Sequence, residues 1–466
     1  MRRSGVRSPS APPISSLSVS ATHPAVVRRL PVVIDLLALH AANPERYPFL
    51  LESATPASGQ NRFDILFACP QENVTATAAE RAFLPRFDVA WRRARAGKDG
   101  ALPDLPFVGG WFIYLGYELA GEIEPSLDLP SSGDTFPTAV ATRIPAAVIR
   151  DRSTGETILV AEGGREALID VLERDARSVT SVRWVSTSPL AGPLREENPE
   201  LFLSAVIATK DYIRAGDIYQ ANLSRFWSAD ITSDLTHAAL YDRLRRANPA
   251  PFAGLATFGD RAIISSSPER LVEVRDGRIA ARPIAGTRPR GMGQEDAELA
   301  SELIGHPKER AEHIMLVDLV RNDLSRVAVP GTVRVDEMMT VESYSHVHHI
   351  VSNVIAALNV DATPADVIRA VFPGGTITGC PKVRAMEIIA ELESVARGPY
   401  TGALGYIGHD GSMDLNILIR TMVRDGSKLT FRTGAGIVAD SEPERELAET
   451  RAKALGLTRA LMGDLS

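Results

Sequence analysis

TGAGIVADSEPERELAETRAKALGLTRALM (residues 433–462) reads as a glycine-bearing turn that runs into a long helix. Ser441 is a candidate cap, Pro443 stands just inside the start, and acids fill the first turns, where they suit the positive end of the helix dipole. Glu446, Glu449 and Lys453 recur at i, i+3 and i+7, on one face. Outward from there, HPKERAEHIMLVDLVRNDLSRV (306–327) predicts another helix, with Glu309 and Glu312 three residues apart. CPKVRAMEIIAELE (380–393) predicts a third, with Pro381 in its first turn, where a missing N–H costs nothing. TSPLAGPLREENPE (187–200) reads as a hinge leading into a helix around 200–215. Further upstream, RFDILFACP (62–70), PAAVIRDR (145–152) and GETILVAE (155–162) read as strands, and PVVIDLLALHAA (31–42) as strand or helix.

Composition narrows the class. The chain has 466 residues, 44% hydrophobic and 23% charged, which is globular, too apolar for a disordered chain and too charged for a membrane protein. A net charge of −7 argues against a binder of nucleic-acid backbones, which needs a basic face. Two cysteines, Cys69 and Cys380, make neither a disulfide scaffold nor a four-ligand zinc site. Residues 1–22 are basic and rich in Ser and Pro, and read as a disordered tail without the apolar core of a secretory signal. The expected location is cytoplasmic.

Three segments suit anions. FPGGTITGCPK (372–382) is a Gly/Thr loop meeting a helix N-terminus, where free N–H groups point outward. RTGAGIVAD (432–440) is a second glycine-bearing turn, and PIAGTRPRG (283–291) a third, with basic residues. None has the order of a P-loop or of a dinucleotide fingerprint. Each alone equally describes a tight turn that needs φ > 0. The carboxylate helices suit a hard cation such as Mg²⁺, which prefers oxygen ligands. Spacing alone, however, favours ordinary solvated helix faces. In SHVHHIV, His346 and His348 share a strand face and His349 points to the other. A zinc pair at 346 and 348 lacks a third ligand, which leaves a single catalytic histidine or a structural one. Neither ACPQ nor GCPK resembles the nucleophile turn of an amidotransferase, so ammonia from glutamine would have to come from another protein.

SSSPERL (265–271), PIAGTRPRG, ERAEHIMLVDLVRNDLSRV (309–327), HVHHIVS (346–352), FPGGTITGCPKVRAMEIIAELE (372–393), RGPYTGALGYIG (397–408), NILIRTM (416–422) and TGAGIVADSEPERELAETRAKA (433–454) together resemble the chorismate-utilising enzymes. The match is in order over roughly residues 200–460. That family includes component I of anthranilate synthase and of aminodeoxychorismate synthase, with isochorismate and salicylate synthases. The resemblance implies an α/β (α+β) fold of two antiparallel sheets packed with flanking helices. It implies one large chorismate-binding domain over 23–466, with an N-terminal part (23–199) and a catalytic part (200–466). Chorismate is the implied substrate and Mg²⁺ the implied cofactor.

By position, Glu312 and Glu449 match the metal-binding glutamates. Gly286, Thr287, Thr376, Tyr400, Arg420, Gly434, Ala435, Gly436 and Lys453 match chorismate-contacting positions, and Thr376 is grouped with the catalytic residues. His349 matches the histidine near the ring, and Glu269 the acid that assists departure of the C4 hydroxyl. The isochorismate and salicylate branches carry a water-activating lysine where this chain has Gln220, which favours an amino-transferring member. YPFLLES (47–53), RFDILFACP, LPFVGGWFIYLGYEL (105–119) and NPAPFAGL (248–255) resemble aminodeoxychorismate synthase. Ala285 departs from it, because many members of that branch have a nucleophilic lysine there while anthranilate synthases have alanine. LLES and NPAPF also match a tryptophan pocket of anthranilate synthase, at Ser53, Pro251 and Phe252. The expected activity is therefore Mg²⁺-dependent amination of chorismate to 4-amino-4-deoxychorismate, for p-aminobenzoate and folate, with ammonia from a glutamine amidotransferase subunit. The alternative is anthranilate synthase component I of tryptophan biosynthesis. An inactive chorismate-binding regulatory module ranks below both.

Overall fold

GWFIYL (110–115) and AAVIRD (146–151) are buried along nearly their whole length. Strands like these need cover on both faces. The computed structural model supplies it by stacking two antiparallel sheets between helices. It describes residues 24–54, 62–77, 80, 82–95, 105–131, 136–180, 182, 184, 189–290, 294–305, 307–343 and 347–462. The tail expected over residues 1–22 lies outside these, as do His346 and the side chain of Thr287.

Among the described residues the larger sheet has twelve strands and the smaller ten. The larger runs from Val26–Leu30 through Glu156–Ala161, Ala146–Asp151, Phe63–Ala68 and Phe49–Glu52. It continues through Phe252–Phe258, Arg261–Ser267, Thr421–Asp425, Lys428–Ile437 and Gln220–Asp230. The smaller centres on Arg270–Arg275, Met413–Ile417, Ala403–Gly408 and Gly110–Leu115. Early and late parts of the chain thus interleave in both sheets. Phe67, Ile149 and Ile263 of one sheet meet Phe112, Ile144 and Leu404 of the other in a shared apolar layer. The Phe49 and Phe112 rings stack across it with centroids 3.8 Å apart. Helices Leu36–Ala42, His237–Ala247 and Pro443–Met462 cover the outer face of the larger sheet. Pro307–Ser325 and Pro364–Val371 cover that of the smaller. This is the mixed α/β architecture of two antiparallel sheets that the resemblance implies.

Local chemistry places the helix ends. Asp35 accepts from the Leu37 and Ala38 N–H groups, so 31–42 becomes the helix Leu36–Ala42 rather than a strand. Asn198 caps Pro199–Ala215, and Gly216 at φ 85° ends it. The hinge before it adds a short strand, Arg195–Glu196, against Trp227–Ser228.

Four expectations are corrected. Ser441 does not cap the last helix: its Oγ accepts from Val438 N–H, and the first helical bonds run to the Glu442 carbonyl. Pro381 is the residue before the helix Lys382–Glu393, because Gly379–Cys380 pair as a strand with Gln220–Ala221. RTGAGI is the end of the strand Lys428–Ile437 rather than a turn. IAGTRP is likewise a strand, Ile284–Pro289, bulged between Ala285 and Thr287. The helix Gln294–Gly305 carried no decisive sequence signal. No helix among the described residues is long and apolar enough to cross a membrane.

Truncating the stacked ring between the sheets tests this packing. Phe112→Ala is expected to lower unfolding free energy by about 3–5 kcal/mol in urea denaturation. A loss below about 1 kcal/mol would mean that the ring is not locked between two sheets.

Candidate active site

Two of the places where the chain passes from one sheet to the other lie side by side. Arg261–Ser267 pairs with Thr421–Asp425 in the larger sheet, and Arg270–Arg275 with Met413–Ile417 in the smaller. The links are therefore Pro268–Glu269 on one strand and residues 418–420 on the other. Hydrogen bonds staple them: Ile417 N–H to the Glu269 carbonyl (3.0 Å), Ser266 N–H to the Arg420 carbonyl (3.1 Å) and Ser267 Oγ–H to the Ile417 carbonyl (2.6 Å). Backbone that belongs to neither sheet leaves room for side chains, and here they are a carboxyl and a guanidinium.

Glu269 is 6% exposed, and its Oε1 accepts from Thr376 Oγ–H at 2.7 Å. Burial pushes its carboxyl up to about 7, against the Thr376 hydrogen bond, the Arg420 charge, the Ile284 N–H and the Lys453 charge. A carboxylic acid that is protonated near neutral pH can donate a proton. Arg420 takes up φ +52° at the second crossing. Burial lowers its pKa, while Tyr400, Glu269 and Glu449 raise it. It still carries its charge.

His349 lies on the strand Val347–Ala357, opposite Thr287 in register. Its Nδ1 is 3.3 Å from the Gly286 carbonyl, and burial holds the imidazole at about 4, neutral at physiological pH. Gly286 has φ +65°, and a Cβ there would meet Glu309 Oε2 at 2.8 Å. That close approach brings the helix Pro307–Ser325 to the site. Glu312 is one turn further along it and half-buried. Ala285, half-buried beside Gly286, presents only a methyl group.

The strand Lys428–Ile437 forms another wall. A Cβ at Gly434 would lie 2.5 Å from the Leu223 carbonyl, 2.6 Å from Tyr400 Oη and 2.8 Å from Asn222 Oδ1. One at Gly436 would lie 2.3 Å from Gln220 Nε2. Neither glycine has positive φ, so both are needed for close approach and not for a turn. Ala435, between them, is buried against the opposite layer. Burial pushes the Tyr400 hydroxyl up to about 12. Lys453 Nζ donates to the Gly434 carbonyl at 2.9 Å and pairs with Glu449 Oε1 at 2.6 Å.

The structure thus gathers Glu269, Thr376, Arg420, Tyr400, Gly434, Lys453 and Glu449 around one region, with Gly286 and His349 bordering it. Glu312 and Glu449 are hard oxygen donors. Among the described residues no three His, Cys, Asp or Glu side chains converge as a metal cage. Two carboxylates would suit Mg²⁺, a hard cation that commonly takes only one or two from the protein. His348 is engaged elsewhere, with Nε2 2.9 Å from Asp296 and Nδ1 2.8 Å from Ser343.

Ser53, Pro251 and Phe252 are elsewhere. They line a separate cavity of about 910 Å³, together with Glu52, Arg270 and Asp414. The Arg270 guanidinium lies 4.9 Å from the Phe252 ring centroid and grips both Asp414 oxygens at 2.9 Å. Aromatic surface beside charges of both signs suits a zwitterion. Sequence reasoning missed Arg270 and Asp414. The available signal was strand alternation: if Glu269 faces one compartment, Arg270 faces the other.

Comparison with known proteins adds four findings. The family model for chorismate binding enzyme matches residues 47–459. Anthranilate synthase component 1 of Synechocystis sp. is 39% identical over 89% of this chain and 91% of that protein. The aminodeoxychorismate synthase of Streptomyces griseus is 40% identical over 78% of this chain but only 52% of its own length. Among solved structures, anthranilate synthase component I from Streptococcus pneumoniae TIGR4 superposes with a TM-score of 0.76 at 32% identity, covering 87% of this chain and 94% of that one.

The burial of Glu269 has a consequence for stability. Its folded pKa of about 7 lies above the ordinary carboxyl value of about 4.3, so the folded state holds the extra proton between those limits. Stability contributed by this group is therefore lost as pH rises through that window. Glu269→Gln is expected to gain on the wild type by up to about 3 kcal/mol between pH 5 and pH 8 in denaturant titrations. A pH-independent difference would show an ordinary, ionised carboxylate.

Proposed function

Since this chain belongs to the chorismate-binding enzyme family, we propose that it aminates chorismate at C2 and releases pyruvate to give anthranilate, the reaction of anthranilate synthase component I. The observation that carries this reading is Ala285. A route to C4 through a covalent bond at C2 needs a nucleophilic side chain there, and a methyl group has none. Direct attack of ammonia at C2 needs no such group. The match to a named anthranilate synthase component 1 over 89% of this chain and 91% of that protein supports the same reading. The C4 reading drawn from the N-terminal stretches has a relative behind it that aligns over about half of its own length.

Chorismate carries two carboxylates. Arg420 and Lys453 are the cations available to hold one of them. Mg²⁺ held by Glu312 and Glu449 would neutralise the other and orient the ring. Protonated Glu269 delivers its proton to the C4 hydroxyl, which leaves as water. The Thr376 hydroxyl and the Arg420 charge then stabilise the carboxylate left behind. As the C4–O bond breaks, the diene shifts toward C4, the ammonia lone pair forms the C2–N bond, and the resulting ammonium sheds its extra proton to solvent. Neutral His349 next accepts the C2 proton, the C3–O bond breaks and the ring becomes aromatic. The departing enolpyruvyl group takes up a proton and leaves as pyruvate.

Ammonia has to be delivered. Burial raises the thiol pKa of both Cys69 and Cys380, which makes them poor nucleophiles for glutamine hydrolysis. A separate glutaminase subunit is the natural supplier. The 910 Å³ cavity then takes the amino-acid end product, tryptophan, with its indole on Phe252 and its charges on the surrounding ion pairs.

A product assay tests the reading. Purified chain with chorismate, Mg²⁺ and ammonium is expected to yield anthranilate and pyruvate without any added lyase. Formation of p-aminobenzoate only after addition of an aminodeoxychorismate lyase would establish the C4 reading instead. Glutamine should not replace ammonium until a glutaminase subunit is added. Glu312→Gln and Glu449→Gln are each expected to lose Mg²⁺-dependent turnover while melting normally, and near-wild-type activity in both would remove them from the metal site. Millimolar tryptophan should raise the melting temperature of the wild type but not of Ser53→Phe. Equal shifts, or none in either protein, would assign the cavity another role.

A further inference from the structure

Arg397 is 4% exposed, and all five of its N–H donors end on protein acceptors. Nε and Nη2 grip Glu393 at 3.0 and 2.6 Å. Nη2 also donates to the Asn222 carbonyl at 2.6 Å. Nη1 donates to the Ile377 carbonyl at 3.1 Å and to Thr401 Oγ1 at 3.4 Å. The guanidinium plane also lies 4.8 Å from the Tyr117 ring centroid and 5.6 Å from that of Tyr400. With no donor left over, this cation has nothing to offer a substrate directly.

Its acceptors belong to segments that carry the site. Ile377 follows Thr376, the partner of Glu269. Asn222 flanks Gly434 from the neighbouring strand. Tyr400 faces the same point above Gly434. The counter-ion Glu393 is itself fixed, by Arg432 at 3.1 Å and by Ser224 N–H and Oγ–H at 2.8 and 2.9 Å. Burial pushes the Glu393 carboxyl up, but the two guanidinium groups and Ser224 hold it below the usual range. A charged cluster buried this deeply is costly to desolvate, and an apolar core of the same volume would serve stability as well. What the apolar core would lack is a planar fork that fixes two backbone carbonyls and a threonine hydroxyl relative to one carboxylate.

We propose that Arg397 is the positioning residue of this site, acting through Thr376 and Tyr400 to set where the proton donor Glu269 and the substrate ring meet. The proposal rests on the amination reading for its assay. Lysine cannot replace it, because three donors on a tetrahedral nitrogen cannot serve five acceptors.

The test is a double-mutant cycle on steady-state amination of chorismate with ammonium and Mg²⁺. Arg397→Lys is expected to lower kcat by about 100-fold, the order of effect of a displacement of about 1 Å, with KM for chorismate within about threefold of wild type. Because Arg397 acts through Thr376, adding Arg397→Lys to Thr376→Ala should cost no more than about threefold further. Glu393→Gln, which keeps the shape of the anchor and loses its charge, should show the same kcat-selective loss and the same non-additivity. It also carries the test if Arg397→Lys does not fold. Multiplicative losses in the cycle, or losses confined to KM or to the amount of folded protein, would reduce Arg397 to a core residue and overturn the proposal while the amination reading stands. A wild-type enzyme that forms no amine from chorismate overturns both.

Discussion

The passage of two paired strands from one sheet to the other, at Pro268–Glu269 and at residues 418–420, is the constraint on which the rest of the molecule depends. A strand inside a sheet has its polar backbone consumed by its neighbours and presents side chains alternately to two apolar layers. A strand that changes sheets must break that pattern for two or three residues. The freed backbone groups bond across the paired links, and the side chains at the break are released from apolar packing. Glu269 and Arg420 occupy those positions. A carboxyl and a guanidinium are thereby set close enough to feel one another in a place where either alone would be expensive.

The same break sorts two compartments. Glu269 and Arg270 are adjacent, and alternation sends them to opposite sides. The first faces Thr376 and Arg420, and the second lines the large cavity against Phe252 and Asp414. On the partner strand, Asn416 donates to the Phe252 carbonyl beside the cavity, while Ile417 donates to the Glu269 carbonyl beside the site. An occupant of the cavity and a substrate in the site would therefore be separated by a single peptide unit. Any displacement of Arg270 has a short path to Glu269, its neighbour in the chain, which gives the proposed end-product pocket a physical means of influence.

Much of this was legible beforehand, and the parts that were not share a cause. The helices Pro307–Ser325 and Pro443–Met462 followed from charge spacing and from the proline near the start. Strands Phe63–Ala68, Ala146–Asp151 and Glu156–Ala161 followed from β-branched apolar runs. Glycine was the main source of error. TGAG and IAGT look like turns because glycine permits positive φ, yet both are strands. In the first, glycine is present because Tyr400, Asn222 and Gln220 press on it from across the site. In the second, Gly286 takes positive φ at a bulge that admits Glu309. A side chain arriving from far along the chain leaves no trace in the local pattern.

The sequence by itself determined the family, the two-sheet architecture and the residue types of the site, because these follow from ordered motifs, hydrophobic periodicity and the chemistry of individual side chains. It carried Glu269, His349, Arg420 and Lys453 as a set, but not their states. That Glu269 holds its proton near pH 7 and that His349 gives its proton up early are consequences of burial between layers. That Arg397 is saturated by five acceptors, and that Arg270 belongs to a different compartment from its neighbour, was likewise decided only by tertiary structure. Desolvation and hydrogen-bond saturation depend on what surrounds a group in three dimensions, and residues far apart in the chain supply those surroundings here: Asn222 and Tyr400 lie in different strands and loops, yet both meet above Gly434.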